Sequence, residues 1–162
     1  MNSELHEVKA AVASDSGTYV PDFAQIAEAV GISPGTLDYN KVAQVPMQLF
    51  KLLLTGWLIH QKFDETTYLQ DNADVAQAVR DGKVESGWSH YLSTGYYEGR
   101  KPGNYFVDPK FYRRTYLDVA LAERKGLTTA SAHYNAVGRA EQRDPCEAHA
   151  VMARLWRQSL TS

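Results

Sequence analysis

The sequence predicts an all-α chain: tandem helical repeats packed on an N-terminal apolar helical region, with a C-terminal capping helix. Three observations carry that expectation. The phrase HYLSTGYYEGRKP at 90–102 returns as HYNAVGRAEQRDP at 133–145. Apolar residues recur at helical spacing, and no stretch alternates apolar and polar for long, as a half-buried strand would. Asp, Ser, Thr, Pro and Gly stand where helices start and stop.

The bulk properties narrow the class. A chain of 162 residues suits one domain, or one and a half, with enough length for a hydrophobic core. Net charge is −2, with acids and bases interspersed. No Lys/Arg block stands out, so the footprint of a nucleic-acid binder is missing. Cys146 is the only cysteine, so neither an intramolecular disulfide nor a cysteine metal cluster is expected. The opening MNSELHEVKA is acidic and polar, unlike a secretory signal. The most apolar run, Val45 to Ile59, is broken by Lys51 and Gly56. At about 15 residues it falls short of the roughly 20 that a membrane span needs. The expected location is the cytoplasm, or a particle or surface structure assembled from it.

Residues 1–19 read as a flexible N-terminal segment, with a short helix over Glu4–Ala13 and the polar linker ASDSGT. Residues 20–62 form the expected docking region. Pro21 opens PDFAQIAEAVG, where Phe23, Ile26, Ala27 and Val30 keep helical spacing and Gly31 stops the helix. ISPGTLDYN is turn-rich. Pro46 suits a helix first turn, and MQLFKLLLTGWLIHQK then runs as one helix, apolar on most faces. Such a helix is expected to be buried all round, either by this domain or by a partner chain. Leu49, Leu53 and Trp57 are its expected partner-docking residues.

The duplication begins at Phe63. FDETTYLQDNADVAQAVRDG aligns with VDPKFYRRTYLDVALAERKG from Val107, and the two His-Tyr phrases follow with one residue dropped in the second copy. About fourteen identities over roughly 40 positions, in order, are a strong repeat signal. The first copy spans 63–105 and the second 106–145. Each reads as three short helices. Asp64 or Asp108 caps the first. The second starts near Asp74 or Asp118 and ends at Gly82 or Gly126. Ser86, and Thr128 or Thr129, cap the third. In residues 146–162, CEAHAVMARLWRQSL carries Ala148, Val151, Met152, Leu155 and Trp156 on one stripe and reads as a closing cap.

The shared residues are read as a packing consensus: Asp74, His90, Gly95, Glu98, Asp118, His133, Gly138, Glu141 and Arg143. A glycine twice at the same helical position, at a cost of about 1 kcal/mol against alanine, suggests close backbone approach by a neighbouring helix. An acid-to-Arg bridge is expected to lock the third helix onto the second. His90 and Glu98 lie about 12 Å apart along one helix, too far to share an ion. No HExxH, CxxC, GxSxG or glycine-rich phosphate loop occurs. No catalytic residue, metal or cofactor is therefore expected.

The copies differ where a function could lie. Copy one carries GYYEGRKPGNYF, and copy two lacks its aromatics. Tyr96 and Tyr97 fall off the Tyr91–Gly95 stripe, so at least one ring should be exposed. Tyrosine offers a flat apolar face and a polar tip. With Tyr105, Trp88 and Arg100 they form the candidate ligand-binding set, for a glycan or a protein partner.

The pattern F-D-x-x-x-Y-L-x-x-N-x-D-V-A-x-A, then H-Y-x-x-x-G-x-x-E-G-R-x-P, resembles a repeat of about 40 residues. That repeat is found in bacterial surface-polysaccharide glycosyltransferases and in large surface or secreted proteins. The resemblance covers residues 63–145. Copy two departs at Tyr116 for Asn72 and at Gln142 for Gly99, which bears on its turn geometry. It implies a helical accessory module in carbohydrate or cell-envelope contexts, and no catalytic residue. The leading expectation is a non-enzymatic adaptor that recognises bacterial polysaccharide. It would dock as a homo-oligomer or into a larger assembly, such as a surface structure or phage-like particle. The alternatives are a protein–protein scaffold without carbohydrate binding and a small polysaccharide-related enzyme accessory.

Overall fold

The structure is a computed structural model that describes residues 21–33 and 42–160. The expected segment 1–19, with its Glu4–Ala13 helix, and most of ISPGTLDYN lie outside the described residues. Every regular element among the described residues is helical. In chain order these are α1 (Phe23–Val30), α2 (Met47–Leu58), α3 (Glu65–Asp71), α4 (Ala73–Arg80) and α5 (Gly87–His90). The last of these continues as a π-helical turn, π1 (Tyr91–Gly95). Then follow α6 (Pro109–Thr115), α7 (Leu117–Arg124), α8 (Ala130–His133), π2 (Tyr134–Gly138) and α9 (Glu147–Leu160).

The stretches 64–102 and 108–145 carry the same order of elements at the same lengths: 7, 8, 4 and 5 residues in each. The local causes are also shared. Asp64 and Asp108 accept from backbone N–H groups of the turns they cap, and Ser86 and Thr129 do the same for α5 and α8. Each cap satisfies a donor the helix cannot. Asp64 N donates to Pro102 O at 3.1 Å, and Asp108 N to Pro145 O at 2.9 Å. The start of each stretch is thus tied to its terminal proline.

The chain forms two compact units. One holds residues up to Gln61 together with Val84–Arg100, and the other holds Lys62–Lys83 and the chain from Lys101. The division passes through the first copy, whose α5–π1 segment belongs with the N-terminal helices.

In the first unit α2 presents Thr55 and Leu58 inward. Its Lys51 Nζ donates to Ser93 O at 2.9 Å. Tyr91, Leu92 and Gly95 of π1 are buried. Elsewhere on α2, Phe50, Leu52, Leu53 and Trp57 are 44–54 % exposed. Of the two expected ways of burying this helix, wrapping by this domain is incomplete among the described residues: Thr55 and Leu58 are buried, and Leu49, Leu54 and Ile59 are half-buried. The helix also ends at Leu58, short of the expected Lys62.

The second unit is organised by tyrosine. Val107, Tyr112, Val119, Ala130 and Tyr134 form its core, with Tyr105 and Tyr116 against it. The Tyr112 ring meets Tyr116 at 4.6 Å and Tyr134 edge-on at 5.9 Å. Tilted and edge-on pairs suit the ring quadrupoles. The α9 helix carries no buried residue among its 14.

Both third segments widen into a π-turn at the same place. Arg139 N donates to Tyr134 O and Tyr96 N to Tyr91 O, five residues back. The expected backbone approach at Gly138 is also corrected. The space beside it is taken by the Tyr112 hydroxyl, with the Tyr134 ring and His133 Nδ1 close by. The neighbour is a side chain, not a helix backbone.

Candidate functional site

Most of the shared polar residues in the second copy are consumed by internal contacts. Tyr112 Oη and His133 Nδ1 are 3.1 Å apart. Arg143 forms a two-pronged pair with Asp118, at 3.0 and 2.8 Å, and donates to Glu141 at 2.6 Å. Its guanidinium lies 4.8 Å from the Tyr116 ring centroid. The expected acid-to-Arg lock is present here, fixing the end of the third segment to α7. In the first copy Arg100 Nε donates to Glu98 at 2.6 Å. Gln142 takes the left-handed φ of 56° where the first copy has Gly99 at 75°, so the turn survives the substitution.

The Arg143 hydrogen bonds hold the Asp118 carboxyl below its ordinary 3.8. A carboxylate with a depressed folded-state pKa contributes stability that is fully present above the unfolded value and lost as pH falls through the folded one. Thermal midpoints should therefore drop from about pH 5 downward, and Asp118→Asn should flatten part of that slope. An Asp118→Asn slope identical to that of the parent would remove the pair from the acid response.

The candidate ligand residues divide between the units. In the first unit Trp88 stacks on Tyr91 at 6.0 Å, Tyr91 meets Tyr96 edge-on at 6.0 Å, and Tyr96 meets Tyr97 at 5.4 Å with rings perpendicular. Tyr96 and Tyr97 are 38 % and 41 % exposed. The two rings are not equivalent. Lys51 Nζ lies 5.0 Å from the Tyr97 centroid, and Tyr97 Oη donates to Lys51 O at 3.4 Å. Tyr97 therefore helps hold α2. On α2, Leu53 and Trp57 are exposed and Leu49 is half-buried.

Tyr105 belongs to the second unit and lines a cleft of about 330 Å³ with Asp71, Lys101, Asn104, Asn135 and Arg139. That volume falls within the range of small-ligand sites. The walls are pinned. Gly103 sits at φ 85°, where an added Cβ would come within 2.6 Å of Asp64 O. Asn104 Nδ2 donates to Asp64 Oδ2 at 3.3 Å and Thr67 Oγ1 at 3.1 Å. Asn135 grips the Tyr105 backbone from both sides, accepting from its N–H at 2.7 Å and donating to its carbonyl at 3.2 Å. The Arg139 guanidinium lies 4.4 Å from the Tyr105 ring centroid.

Sequence reasoning found Tyr105 and missed its polar neighbours. A signal existed in the departures between copies: Lys101 aligns with Asp144, Asn135 with Leu92, and Arg139 with Tyr96. A more open cleft of about 500 Å³ is lined by Arg113, Arg114, Leu117, Ala120, Glu123 and Arg124. Glu123 pairs with Arg113 there at 3.1 Å.

Among the described residues, no helix is long and apolar enough to cross a membrane. The chain matches no known protein family, no curated protein and no solved structure.

Proposed function

We propose that this chain is a non-enzymatic adaptor whose two copies of a helical repeat hold a bacterial surface polysaccharide. The α2 face bearing Leu53 and Trp57 docks it to further copies or to a larger assembly, such as a surface structure or phage-like particle. The observation that carries the reading is the exposed Tyr96 ring, braced edge-on by Tyr91 and Tyr97. The second copy has Arg139 at that position. Residues common to both copies serve folding in this reading, and the ligand is met by what the consensus leaves free. The resemblance of 63–145 to a polysaccharide-associated repeat points the same way.

Tyr96→Ala tests it directly, because Tyr97 also supports α2. Binding to a responsive capsular or exopolysaccharide should weaken at least about tenfold, or ~1.4 kcal/mol, with an unchanged thermal melt. Wild-type affinity in the variant removes Tyr96 from the site.

A second reading, a protein scaffold without sugar binding, is favoured by the exposed α2 stripe. It predicts no binding across a polysaccharide panel, and loss of self-association or partner capture in Leu53→Ser/Trp57→Ser.

A further inference from the structure

We infer that the Tyr105 cleft is a second binding site, one that takes a carboxylate-bearing sugar unit of an acidic polysaccharide. Three of its lining residues are charged: Asp71, Lys101 and Arg139. Among the described residues none of the three forms an ion pair, with each other or with any other side chain. Elsewhere in this unit Lys83, Arg113 and Arg143 each pair with a carboxylate. Arg139 is instead positioned by the Tyr105 ring, which orients the fork and leaves its N–H donors for a ligand.

The chemistry of the lining selects the ligand. Two cations against one carboxylate leave a surplus positive charge, which calls for an anion. A planar guanidinium suits a carboxylate, which it can meet with two parallel hydrogen bonds. Asp71 is then the odd member, since it repels a purely anionic ligand. A uronate ring resolves this, because its carboxylate sits beside hydroxyls that donate to Asp71. An acidic peptide does not, since its neighbouring carboxylates would face Asp71. The Asn104 amide oxygen is a further acceptor, because only its Nδ2 is engaged. The pinned walls mean that little ordering is needed on binding. The cleft is also no part of the duplicated consensus. At the positions of Asp71 and Lys101 the second copy has Thr115 and Asp144, and at those of Asn135 and Arg139 the first has Leu92 and Tyr96.

Taking a sugar as the carrier of the carboxylate rests on the polysaccharide reading above. The test titrates the isotope-labelled full chain with a galacturonate oligomer, a neutral glucose oligomer, acetate and a polyglutamate peptide, observed by NMR. Saturable shifts are expected at the side-chain amides of Asn104 and Asn135 and at Arg139 Nε–H with the galacturonate oligomer. The affinity should fall with added salt, and at least tenfold in Lys101→Gln/Arg139→Gln. Asp71→Asn should weaken it less. These residues are at the surface, so the variants' own spectra report that the fold is intact. A silent cleft, unchanged affinity in the double variant, or equal shifts from acetate or the neutral oligomer would overturn the inference. So would tighter binding of polyglutamate. Shifts at Tyr96 with a silent cleft sink this site alone, whereas shifts at neither sink both readings.

Discussion

Replacing Tyr112 with alanine is expected to cost the second unit about 3–5 kcal/mol, the usual range for removing a large buried aromatic side chain. Tyr112 is fully buried. Its ring contacts those of Tyr116, Tyr134 and His133, and its hydroxyl meets His133 Nδ1. Set against a typical domain stability of about 5–15 kcal/mol, the loss is a large fraction of the total. The thermal midpoint should fall by about 2–4 °C per kcal/mol for a chain of this size. Tyr112→Phe separates the hydroxyl from the ring and should lose only about 0.5–1.5 kcal/mol. Burial also pushes the Tyr112 phenol up to about 12. The folded state thus holds that proton more tightly than the unfolded chain. The contribution is fully present below the ordinary value of 10.0 and lost as pH rises through about 12. A circular-dichroism melt of Tyr112→Ala indistinguishable from the parent would mean that the tyrosine cluster does not hold the unit.

The caps that start these helices were legible in the sequence because each depends on one residue and its next turn. Asp64, Asp108, Ser86 and Thr129 needed only their own side chains and the N–H groups two or three positions on. The Asp118–Arg143 lock was legible for a related reason: Asp and Arg stand at the same two places in both copies of the sequence. The π-turns were not legible. Nothing in His-Tyr-x-x-x-Gly distinguishes a five-residue from a four-residue hydrogen-bond step. Nor does it show that the space beside Gly138 is taken by Tyr112, which arrives there from 26 positions upstream in the sequence.

The outward face of α2 was hidden for a different reason. A run such as LFKLLLTGWL states that the residues are apolar, not who covers them. Burial on one stripe and exposure on another depend on how much of the chain reaches the helix. The Tyr105 cleft falls between these cases. Tyr105 drew attention as an aromatic found in one copy only. Asp71, Lys101, Asn135 and Arg139 are ordinary surface residues until the fold sets them around one cleft. Their departures from the aligned copy were visible, but a departure alone cannot tell a ligand contact from drift on a solvated face.

Gly138→Ala decides between two effects of opposite sign. Intrinsic helix propensity favours alanine by about 1 kcal/mol. Overpacking a well-filled site costs about 1–3 kcal/mol. At Gly138 the second should win. The new methyl would press into the Tyr112 hydroxyl, with the Tyr134 ring and His133 Nδ1 also in contact range. The hydroxyl terminates a rigid, fully buried ring rather than a flexible side chain, and His133 holds it in place. The expected result is a lower thermal midpoint despite the better helix former. Removing the obstructing atom should reverse the sign. In a Tyr112→Phe background the methyl gains room, so the double variant should be more stable than the sum of the single losses, a coupling of about 0.5–3 kcal/mol. Additive losses in that cycle would mean that Gly138 is required for backbone reasons of its own and not to admit Tyr112.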